Sequence, residues 1–161
     1  MAVSSVADEL RQIGPKLKER FGENFLGSRD DRGELSFWIL PSVWVEASNF
    51  LVQAGFDHLS DLTAVDYLDR EPRFDVMSIL SNQDSRTYLR LKTILDEDER
   101  LESLTAVWSG ANWFEREIFD LFGIEFEKHP DQRRILLPED YNGHPLRKDY
   151  PITGPASSVF R

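Results

Sequence analysis

Arg73-Phe-Asp-Val-Met-Ser-Ile-Leu80, Ser81-Asn-Gln-Asp-Ser85 and Arg86-Thr-Tyr-Leu-Arg-Leu-Lys-Thr-Ile-Leu95 decide the fold class. The two outer runs alternate apolar with polar residues, and the five residues between them are polar turn formers, so the stretch reads as an antiparallel hairpin. In the second run Leu89, Leu91, Thr93 and Leu95 share one face, with Tyr88, Arg90, Lys92 and Ile94 opposite. That is a half-buried strand with one fairly polar side. Upstream, Leu62–Leu68 reads as a further strand ended by Asp69-Arg70-Glu71-Pro72. Two shorter segments, around Glu23–Ser28 and Glu34–Leu40, flank Arg29-Asp30-Asp31-Arg32-Gly33 and predict a second hairpin, since Asp and Gly supply turn conformations.

Helical spacing surrounds these strands. From Val3, apolar residues recur at Val6, Leu10, Ile13, Leu17 and Phe21, and Gly14-Pro15 predicts a kink or a restarted helix. Pro41-Ser42 opens a second helix carrying Trp44, Ala47 and Leu51, with Gly55 at its C-terminal cap. The order α-β-β-α-β-β-β, followed by a helix, predicts an α+β fold of two layers, helices packed on a mainly antiparallel sheet. We expect this globular domain to span residues 1–127. Residues 128–161 follow as an extended, Pro-rich C-terminal segment, because prolines at 130, 138, 145, 151 and 155 prevent a regular helix or central strand.

Composition bounds the function. The chain has 161 residues, 40% of them hydrophobic, enough for a buried core without staples. Absence of cysteine excludes a disulfide scaffold, thiol catalysis, and iron–sulfur clusters or thiolate zinc sites held by this chain. A net charge of −10 argues against general nucleic-acid binding. No stretch approaches the roughly 20 apolar residues of a membrane span, and Met1-Ala-Val-Ser-Ser-Val-Ala-Asp-Glu lacks the basic start and apolar run of a secretory signal. The simplest expectation is a soluble, cytoplasmic chain.

Residues 112–123, Asn-Trp-Phe-Glu-Arg-Glu-Ile-Phe-Asp-Leu-Phe-Gly, predict the clearest helix, with Asn112 as N-cap, Glu115 as its capping-box partner and Gly123 as the close. Arg116, Glu117 and Asp120 fall on one arc of it with Trp113. This arc is either a solvated face with an Arg116–Asp120 pair or a charged docking face. Glu115, Glu117 and Asp120 have no histidine on the same helix, and His129 and His144 each precede a proline in a basic stretch, so no metal site is expected. Dinucleotide, phosphate-loop and nucleophile-elbow motifs are missing. Arg133-Arg134 could fork onto an anion, but in an acidic chain protein–protein ion pairing is the safer reading.

Three longer stretches carry more information. These are Glu115-Arg116-Glu117-x-x-Asp120-Leu-Phe-Gly-Ile-x-Phe, His129-Pro130-Asp131-x-Arg133-Arg134-Ile-Leu-Leu-Pro138-Glu-Asp, and Gly143-His144-Pro145-Leu146-Arg147-Lys148-Asp149-Tyr150-Pro151. They resemble the iron–sulfur protein 3 or 30-kilodalton subunit family (the bacterial C subunit) of respiratory NADH:quinone oxidoreductase, complex I. Phe56–Tyr67 is similar to that family as well.

The resemblance implies a non-catalytic, hydrophilic peripheral-arm subunit of a proton-translocating complex. Its extended segment would lie on the neighbouring quinone-module subunit (the D subunit) and support assembly of the quinone-reducing module. It also implies no cofactor in this chain, with flavin mononucleotide and iron–sulfur clusters in partner subunits of the same arm. The chain would sit on the cytoplasmic side of the inner membrane, held there only through the complex. Carried over as subunit-interface residues are Glu115, Arg116, Glu117, Asp120, His129, Pro130, Arg133, Arg134, His144, Pro145, Arg147, Lys148, Asp149 and Tyr150. An alternative is the equivalent subunit of an energy-converting nickel–iron hydrogenase or of a ferredoxin- or deazaflavin-fed quinone oxidoreductase. A third is an independent acidic interaction domain.

Overall fold

The computed structural model describes residues 2–154, with side chains from Leu10 onward. The side chains of Val3 and Val6, and residues 155–161 of the expected docking segment, lie outside the described residues. Helix α1 (Ala2–Phe21) runs unbroken through Gly14-Pro15, contrary to a restart there. A Cβ on Gly14 would come within 3.1 Å of the Phe37 ring, so this glycine marks close helix–sheet contact rather than a helix end.

Strands β1 (Phe25–Asp31) and β2 (Glu34–Ile39) form the first hairpin, in which the Asp30 carboxylate accepts the Gly33 N–H. A short 3-10 turn leads into α2 (Trp44–Gln53). Strands β3 (His58–Asp66), β4 (Phe74–Asn82) and β5 (Thr87–Leu95) follow. The sheet order is β1-β2-β5-β4-β3, antiparallel except where β2 runs parallel to β5. This is the expected α+β architecture with a mainly antiparallel sheet.

Register explains the two faces. Phe37, Leu91, Ser78 and Leu62 lie in one row across four strands, and Ile39, Thr93, Val76 and Ala64 in the next, all of them buried. The Thr93 and Ser78 hydroxyls donate to the Ile39 and Leu91 carbonyls, which removes the penalty of burying them. Ile13, Leu17 and Phe21 of α1, with Trp44, Ala47 and Leu51 of α2, join this inner face in one core. The opposite face carries Trp38, Arg90, Lys92, Ile94, Met77, Ile79, Thr63 and Val65, all at least partly exposed.

After β5 comes a short parallel pair, β6 (Leu101–Glu102) and β7 (Phe126–Glu127). Between them lies α3 (Ala111–Phe122), which packs on β3 and adds Ile118 and Phe122 to the core. The start of α3 differs from expectation: Gly110, not Asn112, is the N-cap, and no side chain caps it. Gly123 closes the helix in the left-handed conformation at φ 78°, as its sequence position predicts.

Leu91 sits on the central strand with no exposed surface. Leu91→Ala is expected to lower stability by about 2–5 kcal/mol, read from urea unfolding. A smaller loss would mean that the core collapses around the site.

Candidate interaction site

Residues 128–154 hold no regular helix or strand. Their backbone pairs in isolated turns such as Tyr141 N–H to Pro138 O and Tyr150 N–H to Arg147 O. Leu146 N–H to Leu121 O ties the segment's backbone directly to the domain. A segment with so few backbone bonds holds a shape only if side chains fix it, and two buried ionic groups do so.

The first is Asp120, on α3 and without exposed surface. Its Oδ2 accepts the consecutive N–H groups of Ile135, Leu136 and Leu137 at 3.0, 2.8 and 2.9 Å. Its Oδ1 takes Arg134 Nη1 at 2.6 Å. The same guanidinium donates to the carbonyls of Asp120 and Gly143, and His144 Nδ1 lies 2.9 Å from Asp120 O. Burial alone would push the Asp120 carboxyl up. The Leu137 N–H, the Arg134 guanidinium and the Leu136 and Ile135 N–H groups outweigh it and hold the carboxyl below its ordinary range. Gly123 completes this corner, since a Cβ there would lie 2.7 Å from the His144 ring.

The second group is Asp66 at the end of β3, facing Arg73 just before β4. Arg73 Nε and Nη2 fork onto the two Asp66 oxygens at 2.8 and 2.9 Å. Arg73 also holds Asp149 at 2.9 Å and Glu97 at 3.0 Å, while Lys148 N–H donates to Asp66 at 2.7 Å. Arg147 closes on Glu97 at 2.7 Å. The Arg73 hydrogen bonds lower the Asp66 and Asp149 carboxyls further than burial raises them. Between the two pins Tyr141 and Tyr150 join hydroxyls at 2.7 Å, and Gly143 leaves room for the Tyr150 ring.

The helix face expected to be open is therefore covered. Arg116 does not pair with Asp120; its Nε and Nη2 each donate at 3.0 Å to the Arg133 and Arg134 carbonyls. Glu115 is not a capping-box partner. Its buried carboxyl accepts Ser103 Oγ and Leu104 N–H at 2.6 Å each, with the buried His129 ring 3.7 Å away. Burial raises Glu115 to about 7 despite those two donors. Asp131 N–H donates to His129 Nδ1, leaving Nε2 to face Asn112 O at 3.3 Å, and burial lowers this imidazole. Glu117, Pro130, Arg133 and Lys148 remain exposed, and Pro145 partly so. Arg133 is held by Asp131 at 2.7 Å.

Asp66 and Arg73, which anchor half of the arrangement, carry no motif. Two signals were available. Asp66 continues the inward register of Leu62 and Ala64, and Asp120 is an acid near the C-terminal end of a helix, where the macrodipole disfavours it. An acid in either place requires a partner.

What the pins build is a fixed outer surface. Trp113 is 61% exposed and Leu136 60%, while Leu146 and Ile152 also point to solvent. Among the described residues no group of three or more His, Asp or Glu is placed to hold a metal ion. The clefts are charged and open, the first lined by Glu97, Glu99, Arg100, Glu125 and Arg147 among others.

A rigidly strapped α+β domain with an outward apolar surface is the build of an interaction subunit. A family model described as the respiratory-chain NADH dehydrogenase 30 Kd subunit matches residues 37–156, and the chain belongs to that family. It is similar to the NADH-quinone oxidoreductase C subunit of Geobacter sulfurreducens, 44% identical over 149 residues, with 91% of this chain and 92% of that one covered. The C subunit of Roseiflexus sp. is 45% identical over 141 residues, covering 85% and 81%. A solved structure titled "Nqo5 of the trypsin-resistant fragment (1-134)" matches with a TM-score of 0.62 at 28% identity, over 81% of this chain and 99% of that one. A chain of an archaeal respiratory membrane complex, the membrane-bound sulfane sulfur reductase, shares the fold with a TM-score of 0.76 at 22% identity, over 88% and 85%.

Asp120→Ala removes one partner of a buried ionic network, a loss of about 3 kcal/mol or more. Trypsin cleavage after Arg133 and Arg134 is expected to speed up roughly a hundredfold while the sheet stays folded. Unchanged cleavage would show that the segment is held elsewhere.

Glu115 predicts a second behaviour. A folded carboxyl that keeps its proton to about 7, against 4.5 unfolded, makes stability fall as pH rises between those values, by about 3 kcal/mol. Glu115→Gln mimics the protonated form, and its unfolding free energy is expected to stay flatter across that window. A wild-type slope retained in the variant would remove Glu115 as its cause.

Proposed function

We propose that the chain is a non-catalytic, hydrophilic peripheral-arm subunit of a proton-translocating NADH:quinone oxidoreductase. In this reading the outer surface of residues 128–154 docks on the quinone-module subunit and supports assembly of the quinone-reducing module. The observation that carries it is the pinned segment: its inward polar groups are satisfied by this chain, while Leu136, Leu146 and Ile152 are held out towards solvent. Apolar side chains fixed in place before contact lose little entropy on docking.

The interface residues then divide by role. Glu117, Pro130, Arg133, Pro145, Lys148 and the exposed edge of Tyr150 touch the partner, joined by Trp113 and the three apolar side chains above. Glu115, Arg116, Asp120, His129, Arg134, His144, Arg147 and Asp149 set the shape of that surface from within or beside it. Flavin mononucleotide and iron–sulfur clusters belong to partner subunits. No helix among the described residues is long and apolar enough to cross a membrane, in keeping with membrane association through the complex, on the cytoplasmic side. Likeness of fold to the archaeal complex favours a second reading, the equivalent subunit of a hydrogenase or of a ferredoxin- or deazaflavin-fed oxidoreductase.

Leu136→Asp combined with Leu146→Asp tests the docking surface, since both residues are exposed and the isolated domain should stay folded. In membranes carrying the tagged chain, recovery of the quinone-module subunit and NADH-dependent quinone reduction are expected to fall about tenfold, the scale of one interface hot spot. Wild-type recovery would overturn the docking surface. A wild-type chain found only as a free monomer would overturn membership of the complex.

A further inference from the structure

The outer face of the five-stranded sheet holds a cation that the rest of the molecule leaves unanswered. Lys92 lies on β5 between Trp38 of β2 and Met77 of β4, and Thr63 of β3 extends the row. Its ammonium sits 4.9 Å from the centre of the Trp38 ring. Across β1 the row ends at Gly27, where an added Cβ would meet nothing within 4 Å, so the outer side of Trp38 is open.

Other cations drawn away from water each hold a carboxylate: Arg70 has Asp75, Arg73 has Asp66, Arg90 has Glu34, Arg134 has Asp120 and Arg147 has Glu97. Lys92 has none among the described residues. Burial by its neighbours lowers its pKa; the nearby charge of Asp75 opposes this, while Arg90 and Arg29 add to it. In a chain of net charge −10, Lys92, Arg90 and Arg29 make a local positive field over an apolar floor of Trp38, Met77, Ile79 and Ile94. A half-desolvated ammonium on an aromatic ring, ringed by apolar groups, has the make-up of an interface hot spot.

We propose that this sheet face docks an acidic segment of a partner subunit, which sets an Asp or Glu carboxylate on Lys92 and apolar side chains on Trp38 and Met77. The inference rests on the reading that the chain works inside a complex, but it concerns a surface distinct from residues 128–154. The charge of the face selects the occupant: a carboxylate completes Lys92, whereas a basic or purely apolar segment leaves its charge buried and unpaired.

The test compares Lys92 in the purified full-length chain and in the detergent-solubilised complex. Acetylation of its amine by an N-hydroxysuccinimide ester is expected to slow at least roughly tenfold on assembly. A carbodiimide is expected to link Lys92 to an acidic residue of another subunit, a product absent from the free chain. Lys92→Glu should lower recovery of the complex about tenfold with an unchanged melting temperature of the isolated chain, and Lys92→Arg should restore it. Equal acetylation of Lys92 in the complex and the free chain overturns this inference alone, leaving the Leu136 surface untouched. Linkage of Lys92 to a second copy of this chain also overturns it. A chain that recovers no partner subunit overturns both readings.

Discussion

Asp120 is the group on which the shape of residues 128–154 depends. A carboxylate with no exposed surface is tolerated only when donors replace its water, and here three successive backbone N–H groups and one guanidinium do so. The satisfaction is mutual. Ile135, Leu136 and Leu137 lie in a stretch without ladder or helix, and their amides would otherwise have no protein partner. The carboxylate thus serves the segment as a strand neighbour would serve a strand. Its cost in desolvation is offset within the same few ångströms.

The second pin, Asp66 with Arg73, works at the other end and reaches much further along the chain, 76 residues to Asp149 and 82 to Lys148. Together the two turn a proline-rich run into a fixed relief on the domain. Proline contributes as well, since it limits the freedom of the unfolded segment. The outcome is a surface whose polar side faces inward and whose apolar side faces out, the reverse of a segment left loose in water. Glu115, Ser103 and His129 form a separate buried polar knot at the start of the segment, which joins α3 to the turn before it.

The strands were legible because a period-two pattern reports burial directly: Leu89, Leu91, Thr93 and Leu95 face the core as their alternation predicts. Gly123 was legible because a left-handed helix end favours glycine. The pins were not. Spacing on a helix names neighbours three or four residues away, and so suggested Arg116 for Asp120. The actual donors come from 14 to 17 residues downstream, brought back by a turn that α3 and β7 determine jointly. The resemblance to a family marked these residues as important without saying to whom they bind. In the structure Asp120 and Arg134 bind one another, and the positions free to meet a partner, Leu136, Leu146 and Trp113, are apolar ones that a search for charged motifs passes over.

If a buried carboxylate, in place of secondary structure, fixes the segment, the amides it accepts from must be protected. Amide hydrogen exchange of the isolated wild-type chain at neutral pH measures this. Ile135, Leu136 and Leu137 are expected to exchange slowly, within reach of the protection of β4 and β5, although they belong to no helix or strand. Exchange of these three at the rate of an unstructured peptide would contradict the role given to Asp120.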